Sequence, residues 1–513
     1  MRWWKSPKTF PLRIFLIALL LRLVPVVVTR NMGIGLDDMF QYDMLARSIA
    51  AGDGYRWYAE KDLPTVLPYL QLDLASRDYD PRGVLTSFRP PLYPAFLALI
   101  YFVFGAGAKR FFVARLVQTV LAAAMAPLTY GLAHHLLPNP STSSHRPGVL
   151  PGGQHSEPAA RISAWVITLY PMLVIYPLSL ATENLFFVLV LCSILALLKA
   201  RESLEVPFAP NENFRSFVIR SRWFILSGIL LGLTCLTRSV ALVFAGFAVA
   251  WVWFFLKERK RALVVLLMMG MVVIPWIVRN SLLYGQFTGI ESAMSYDLYL
   301  GYYPEGTGTF QYPQSLDLMT VMNDAERDKI GIQKALEFIK ADPGRVFYLF
   351  LRRDGYFFGL ERRALTFFYS NDFFGHISAT ALGGILAIFC LPFVFVSTSG
   401  AVGLALINWR KETWLMALFF AGYITPHLLI IAEDRFHLTI VPFLAIFAAQ
   451  CWSGGWSSIR QRLVGSKAGK VALTLASVAI LLLLANWGLE LWRDADKLAL
   501  LFGPNGNQVY FSY

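Results

Sequence analysis

The stretch Gly33–Tyr55, GIGLDDMFQYDMLARSIAAGDGY, decides how the rest of the chain is interpreted. It follows a first apolar run from about Phe10 to Thr29, which is long enough to cross about 30 Å of hydrocarbon. It contains two adjacent carboxylates, Asp37 and Asp38, followed by apolar residues at helical spacing. The pattern predicts an amphipathic helix along the membrane surface, with an acidic pair close to the membrane exit.

The composition is that of a membrane protein. The chain has 513 residues, of which 56% are hydrophobic and 15% charged, and its mean hydropathy is +0.52. A soluble chain of this length has no use for so much apolar surface. The net charge of +13 does not indicate nucleic-acid binding, because Lys and Arg cluster in short segments between apolar runs. The four cysteines lie within apolar runs without metal-ligand spacing, which argues against disulfides and a thiolate metal site.

The apolar runs and the basic segments between them predict about eleven crossings, with the N-terminus in the cytoplasm. The apolar helix predicted at Leu92–Phe104 is short for a crossing and is assigned as juxtamembrane or re-entrant, since counting it would place the later basic segments outside. Two long loops then lie outside, loop A (30–110) and loop B (279–372), and the Pro/Gly/Ser-rich segment 138–161 is a cytoplasmic linker. The crossings are predicted near Phe10–Thr29, Phe111–Leu137, Ile162–Leu180, Leu185–Leu198, Trp223–Leu256 (two spans with an outward corner at Arg238), Ala262–Val278, His376–Val396, Trp414–Ile431, Phe436–Cys451 and Val471–Leu491.

The acidic pair has two interpretations. An Asp ahead of a helix caps free backbone N–H groups and meets a favourable helix dipole. A carboxylate held at a membrane interface is instead a poised base. Two adjacent acids cannot both cap well, so one of Asp37 and Asp38 is predicted to cap or orient and the other to act as the base.

Lone charges at the ends of other apolar runs form a second group of candidates. Glu183 in ATENLFF and Arg238 in CLTRSVALVF each lie at a predicted outer junction, where an ion pair between them would offset the cost of charge near the membrane. Such a pair is either structural or a phosphate site, in which Arg238 binds the anion and Glu183 orients it. Arg435 in EDRFH and Arg89 before a double proline are further phosphate-binding candidates, although interfacial arginines often snorkel.

Loop B contains YDLYLGYYPEGTG, whose Tyr and Gly residues suit stacking on sugar rings and adaptable hydrogen bonds. A helix is predicted from about Asp324 to Lys340, and the basic aromatic stretch after it is also typical of an interfacial amphipathic helix. Substrate contacts are predicted at Tyr42, Tyr93, Tyr299, Tyr302 and His437.

Together these pieces resemble the GT-C superfamily of integral-membrane glycosyltransferases, in particular bacterial relatives of the protein O-mannosyltransferases and the lipid A aminoarabinose transferase. The resemblance rests on LDD after the first span, FRPPLYP closing loop A, SLATENLF, GLTCLTRS, PWIVRN before the Gly/Tyr loop, and DRFHLTIVPF. It implies an all-α polytopic membrane protein with the GT-C fold. Residues 1–372 would form the GT-C module, and residues 373–513 would hold the C-terminal transmembrane helices.

The resemblance also implies an activity, which is inverting transfer of a hexosyl or pentosyl group from a polyprenyl-phosphate donor, such as an undecaprenyl-phosphate sugar. The acceptor is a lipid, glycan or protein outside the membrane. Asp37 is then the expected base with Asp38 as its neighbour, and the family's outer acidic residue and its basic partner fall on Glu183 and Arg238. The basic residue before the double proline falls on Arg89. The mannosyltransferases usually have Asp-Glu where this chain has Asp-Asp, which leaves the division of roles open.

Two other functions also use interfacial cations: a transporter or flippase of lipid-linked sugars, and a polysaccharide polymerase or ligase with polyprenyl-diphosphate donors. The sequence shows no internal repeat, which argues against a transporter, and a diphosphate is expected to need more cations. One base and one phosphate site suffice for the reaction, and a divalent cation as cofactor is left open. The acidic pair would suit a divalent cation, but the sequence shows no dedicated ligand cage. The expected location is the cytoplasmic (inner) membrane, with the site facing the periplasm or exterior.

Overall fold

The computed structural model describes residues 7–35, 37–72, 79–137, 156–205, 214–362 and 377–503. Most of the linker predicted at 138–161 lies outside these ranges. The described chain is almost entirely helical. It also contains one small antiparallel sheet in loop A, in which β1 (Arg56–Trp57) pairs with β2 (Val84–Leu85). The protein is therefore a helical polytopic membrane protein, as predicted.

The helices match several of the predicted segments closely. In chain order they are α1 (Phe10–Val28), α2 (Asp38–Ala50), α3 (Leu63–Val66), α4 (Leu92–Phe104), α5 (Arg110–Leu136), α6 (Ser156–Leu169), α7 (Pro171–Ile175), α8 (Glu183–Glu202), α9 (Phe214–Arg220), α10 (Arg222–Thr237), α11 (Ala241–Ala250), α12 (Arg259–Tyr284), α13 (Ala293–Tyr302), α14 (Asp324–Ala341), α15 (Gly344–Phe357), α16 (Ala379–Leu406), α17 (Lys411–Leu429), α18 (Val441–Gly465), α19 (Lys467–Arg493) and α20 (Ala495–Leu501). The predicted surface helix is α2, the short apolar helix is α4, and the predicted helix of loop B is α14.

Within the described ranges, six helices are long and apolar enough to cross a membrane, and the bent pair formed by residues 157–169 and 171–178 makes a seventh if it is one span. The six are Phe10–Val28, Arg110–Leu136, Glu183–Glu205, Arg259–Tyr284, Ala379–Leu406 and Lys467–Arg493. Helices α4 and α10 are apolar but shorter, as is the segment Ala241–Phe255. The count of eleven crossings therefore stays a prediction.

The long apolar run from Trp223 to Leu256 is broken where its arginine predicted a corner. Helix α10 ends at Thr237, α11 begins at Ala241, and Arg238 between them has an extended backbone (φ −148°, ψ 118°). Helix α10 packs on α8 and α12. The approach to α12 is so close that a Cβ at Gly228 would lie 2.5 Å from a backbone carbonyl oxygen. The corner thus holds Arg238 at the ends of two firmly packed helices.

A buried cluster joins loop A to loop B. Asp324, the first residue of α14, accepts hydrogen bonds from Thr86 Oγ1 at 2.6 Å, from the backbone N of Ser87 at 2.5 Å and from Tyr284 Oη at 3.0 Å. A buried carboxylate with this many donors is well satisfied. Because Thr86 and Ser87 come just before Arg89, the cluster fixes the end of loop A from which that arginine projects.

Candidate active site

The acidic pair stands at the start of α2, where Asp37 provides the helix cap. One of its carboxylate oxygens accepts a hydrogen bond from the backbone N of Met39 at 2.9 Å. The side chain is accessible to solvent, but protein surrounds it on several sides. Burial, and then the charge of Asp38, raise the pKa of Asp37 above its ordinary value. Asp37 therefore combines a capping contact with exposure to solvent and a raised pKa.

Asp38 faces two arginines from distant parts of the chain. Arg89 forms an ion pair with its Oδ1, and Nη2 of Arg435 lies 3.6 Å from its Oδ2. Burial by itself would raise the pKa of Asp38, but Arg89, followed by Arg435 and Arg238, outweighs burial and holds the pKa below its ordinary value. Asp38 is thus a weaker base than Asp37, and its charge orients the arginines.

The two arginines at Asp38 differ in how firmly they are held. Nε of Arg89 donates to Gln41 Oε1 at 2.8 Å, and its guanidinium carbon lies 5.5 Å from the centroid of the Tyr42 ring. Nε of Arg435 lies 2.6 Å from Glu433 Oε2. The Arg435 side chain is 39% exposed, against 15% for Arg89. Arg435 is accordingly the cation that an incoming anion reaches more easily.

Glu183 and Arg238 form the ion pair that the sequence suggested. Nη1 of Arg238 lies 2.5 Å from Glu183 Oε1, and Glu183 is buried in the first turn of α8. The Arg238 guanidinium carbon lies 4.9 Å from the centroid of Phe436, the residue after Arg435. The pair therefore lies beside the segment that brings Arg435 to Asp38.

These contacts gather charges from five separate segments into one group, which we name the charged cluster. Arg238 acts electrostatically on Asp38, and Arg435 acts on Glu183. The charged cluster consists of Asp37, Asp38, Arg89, Glu183, Arg238 and Arg435. Every acid and arginine that the sequence analysis selected therefore lies in it, although their chemical roles stay predictions.

Two further carboxylates, Glu291 and Asp297, face the same cluster and were missed by the sequence analysis. Glu291 accepts a hydrogen bond from Ser239 Oγ, next to Arg238. Burial is the main cause that raises the pKa of Asp297 to about 7; Arg89 opposes the shift and Glu291 adds to it. Glu291 precedes α13 and Asp297 lies within it, and the sequence analysis predicted no helix there, so no local pattern pointed to these two carboxylates.

Of the four tyrosines predicted to contact substrate, Tyr42 lies at the cluster. It is buried and packs edge-on against Tyr93, with ring centroids 5.1 Å apart. The hydroxyl of the fully buried Tyr93 donates to Gln118 Oε1 at 2.5 Å. In loop B, the hydroxyl of Tyr299 donates to a carboxylate oxygen at 2.9 Å. The guanidinium carbon of an arginine lies 4.4 Å from the centroid of the Tyr302 ring. All four tyrosines are thus buried and engaged by protein groups, and of the four Tyr42 is the one that contacts an arginine of the cluster.

His437 belongs to a different, fully buried group. Its Nδ1 contacts the carbonyl oxygen of Phe357 at 2.8 Å, its Nε2 contacts Glu361 Oε1 at 2.9 Å, and its ring stacks on Phe393 at 3.8 Å. The hydroxyl of Tyr170 donates to the same Glu361 oxygen at 2.6 Å. With both ring nitrogens occupied and no exposed surface, His437 is not available to a substrate, so the geometry does not support its predicted contact.

Among the described residues, no group of three or more His, Cys, Asp or Glu side chains is arranged to hold a metal ion. In the charged cluster, Asp38 and Glu183 are paired with arginines, and Asp37 caps α2. We therefore derive no chemical step that uses a metal.

No protein-family model and no curated protein matches the chain. Several solved structures match the chain. Archaeal oligosaccharyltransferase AglB from Archaeoglobus fulgidus, in complex with an inhibitory peptide and a dolichol-phosphate, matches with a TM-score of 0.50 and 14% identity over 99% of this chain. The apo form of the Archaeoglobus fulgidus oligosaccharyltransferase matches with a TM-score of 0.51 and 15% identity over 100% of it. This chain spans 60% and 61% of those two longer chains.

A further match is ArnT from Cupriavidus metallidurans bound to undecaprenyl phosphate, with a TM-score of 0.38 and 11% identity over 89% of this chain and 80% of that one. The oligosaccharyltransferase matches define the class: this is a multi-pass membrane protein with the GT-C fold. At identities this low, structural similarity shows the fold alone, and an activity has to be argued from the site.

Proposed function

We propose that the protein is an inverting glycosyltransferase that moves a sugar from a polyprenyl-phosphate carrier to an acceptor outside the membrane. The observation that supports this most is the charged cluster, in which carboxylates and arginines from distant segments meet at the ends of apolar helices. A lipid donor reaches its enzyme sideways from the bilayer, so its polar head arrives at this level. A transfer site for such a donor needs a base and a cationic leaving-group site close together.

The arginines provide the leaving-group site in this proposal. Arg435 is the most exposed of the three, and Arg238 stands beside it with one side of its guanidinium paired to Glu183. Planar guanidinium groups bind phosphate oxygens through paired hydrogen bonds. Asp38 and Glu183 orient the arginines. When no donor is bound, their negative charges compensate the positive charges of the arginines.

Asp37 is the proposed base. It takes the proton of the acceptor hydroxyl as that oxygen bonds to the anomeric carbon of the sugar. The bond from that carbon to the phosphate oxygen breaks on the opposite face, and its electron pair leaves with the polyprenyl phosphate. The products are the glycosylated acceptor with inverted configuration, the free lipid phosphate and a protonated Asp37. No covalent enzyme intermediate is needed.

Asp297 and Glu291 are proposed to bind the acceptor. They lie on loop B beside the cluster, where Glu291 accepts a hydrogen bond from Ser239, the residue after Arg238. An acceptor held there would lie next to the donor head group. An ionised carboxylate accepts strong hydrogen bonds from hydroxyl and ammonium groups. Tyr42 is buried beside Arg89, so in this proposal its ring supports that arginine rather than the sugar.

The solved neighbour supports this assignment without deciding it. That oligosaccharyltransferase is in complex with an inhibitory peptide and a dolichol-phosphate, so the same fold holds a lipid phosphate and a peptide there. We extend the lipid phosphate to this chain and propose a lipid, glycan or protein acceptor. The proposed location is the inner membrane, with the charged cluster facing the periplasm and the N-terminus in the cytoplasm.

The test is a transfer assay with purified protein in lipid nanodiscs. The protein is given radiolabelled polyprenyl-phosphate sugars with a membrane-lipid extract, a glycan mixture or peptides as acceptors, and polyprenyl-diphosphate sugars serve as the comparison. We expect label to move to one acceptor class from the monophosphate donor only. Transfer from the diphosphate donor alone, or movement of donor across a vesicle membrane without transfer, would contradict the proposal.

A further inference from the structure

Arg115 on α5 is fully buried and binds the backbone of two other segments of the chain. Its Nε donates to the carbonyl oxygen of Leu178 at 2.8 Å. Its Nη1 and Nη2 donate to the carbonyl oxygens of Met32 and Gly33 at 2.5 and 2.6 Å. One guanidinium therefore connects three carbonyl groups, and its rigid planar fork fixes their relative positions.

The two segments that Arg115 connects each lead into the charged cluster. Met32 and Gly33 end the link from α1, and Asp37 and Asp38 follow within a few residues. Leu178 ends the bent helix pair, and Glu183 follows five residues later. The guanidinium thus sets the distance between the acidic pair and the ion pair formed by Glu183.

Gln118, one turn further along α5, strengthens the same arrangement. Its Nε2 donates to the carbonyl oxygens of Pro177 and Ser179 at 3.1 and 3.2 Å. Its Oε1 accepts from the hydroxyl of Tyr93, four residues after Arg89. One face of α5 therefore holds the segments that lead to the acidic pair and to Glu183, and it also holds the chain just after Arg89.

Burying the Arg115 guanidinium among backbone carbonyl groups costs free energy, so its presence in the core needs an explanation. A buried guanidinium is normally paired with a carboxylate, and a charge within a membrane protein is expensive to keep. In the part of the chain that the structure describes, the hydrogen bonds of the Arg115 guanidinium go to carbonyl oxygens. From the rise per residue of a helix, Arg115 lies about 7 Å from the start of α5. The charged cluster lies at that same end of the helix.

We propose that Arg115 is a positioning residue for the proposed transfer reaction: it holds Asp37 and Asp38 at a fixed distance from Glu183 and Arg238. This proposal rests on the proposed function for its catalytic consequence, but not for its structural one. Loosening the link lets the base and the leaving-group site move apart, and a misplacement of about 1 Å can cost roughly 10²-fold in rate.

The chain provides a matched control in Arg22 of α1. Arg22 is also fully buried, and its guanidinium donates to the carbonyl oxygens of Ala18 and Thr168 at 3.2 Å and of Ile167 at 2.8 Å. It fastens the end of α6 rather than a segment that enters the charged cluster. Arg115→Met and Arg22→Met therefore remove similar buried contacts, and only the first releases the site.

Hydrogen–deuterium exchange on the purified variants tests the structural part without any substrate. In Arg115→Met, we expect amide exchange to rise about tenfold or more in the peptides around residues 31–39 and 176–184 together. In Arg22→Met, the increase is expected around residues 165–170 and not in those two peptides. The proposal is overturned if Arg115→Met loosens neither segment or only one of them.

Steady-state kinetics in lipid nanodiscs test the catalytic part. We expect kcat of Arg115→Met to fall about 10²-fold with less than a threefold change in donor KM, and Arg22→Met to keep kcat within threefold at a similar Tm. Arg115→Lys, which keeps the charge but cannot span three carbonyls, should fall between the two. Equal kcat losses in both Met variants would mean a general structural role and overturn the proposal. If the parent shows no transfer at all, the proposed function fails, while the exchange result still decides the structural link.

Discussion

Replacing Arg435 by Gln is the most informative perturbation of the proposed phosphate site. Arg435 is the most exposed arginine of the charged cluster, with Nη2 3.6 Å from Asp38 Oδ2 and Nε 2.6 Å from Glu433 Oε2. Ion pairs this exposed contribute only about 0–1 kcal/mol to stability. Arg435→Gln should therefore fold normally, so its effect on binding can be measured separately.

The expected loss of affinity follows from the bonds that Arg435 would make. A hydrogen bond to a charged group contributes about 1.5–3 kcal/mol, and one arginine can make two to a phosphate. If Asp38 and Glu433 compete for part of that gain, the net loss should be near the value for one bond. This corresponds to about a 10- to 150-fold rise in the Kd for polyprenyl phosphate.

Binding is measured by titrating decaprenyl phosphate into protein in neutral-lipid nanodiscs, with native mass spectrometry as the readout. Arg352→Gln is the matched control, because Arg352 is an arginine of α15 whose hydrogen bonds go to the hydroxyls of Tyr348 and Tyr356. The control should bind like the parent. Equal affinities for the parent and Arg435→Gln, or equal losses in both variants, would refute the assignment of the phosphate site.

Three further predictions concern the carboxylates and the buried ion pair. Asp37→Asn should lower the single-turnover rate about 10²- to 10⁴-fold without weakening lipid-phosphate binding, and an unchanged rate would remove it as the base. The raised pKa of Asp297 is about 7, so this residue is protonated below that pH and ionised above it. Because the ionised form is the one proposed to bind the acceptor, kcat/KM for the acceptor should rise through pH 7 in the parent. That rise should be absent in Asp297→Asn. Arg238→Met should lower the free energy of unfolding by about 3–5 kcal/mol, because it leaves Glu183 buried without its partner. Adding Glu183→Gln to the same chain should recover much of that loss. If thermal unfolding shows that the losses of the two single variants add in the double variant, the pair is not coupled.

The sequence predicted the elements of the site better than their contacts. Periodicity and charge placed helices at Leu92–Phe104 and from Asp324, close to their observed bounds. The pairing of Glu183 with Arg238 was also accessible, because two lone charges at junctions on the same side of a membrane have a strong reason to meet.

The sequence analysis named Asp38, Arg89 and Arg435 as separate site candidates but predicted no contact between them. Those contacts depend on how loop A packs against loop B and on the last third of the chain, and no local pattern encodes that packing. Glu291 and Asp297 were missed for a related reason. In a loop rich in Tyr and Gly they look like ordinary solvated charges, and only the tertiary fold turns them toward the arginines.

His437 shows how a local grouping can mislead. The sequence treats EDRFH as one unit, but residues 434–439 form a short 3₁₀ helix. Side chains two positions apart on such a helix point about 120° away from each other. Arg435 therefore reaches Asp38, while His437 turns into the buried group around Glu361.

An experimental structure of the protein with bound polyprenyl phosphate tests the central claim most directly. The account predicts that the phosphate lies within hydrogen-bond distance of Arg435 and Arg238, that Asp37 faces the vacant sugar position, and that the isoprenoid chain runs out between helices into the bilayer. A phosphate bound away from both arginines, or a lipid chain with no path between Asp37 and the membrane, would contradict it.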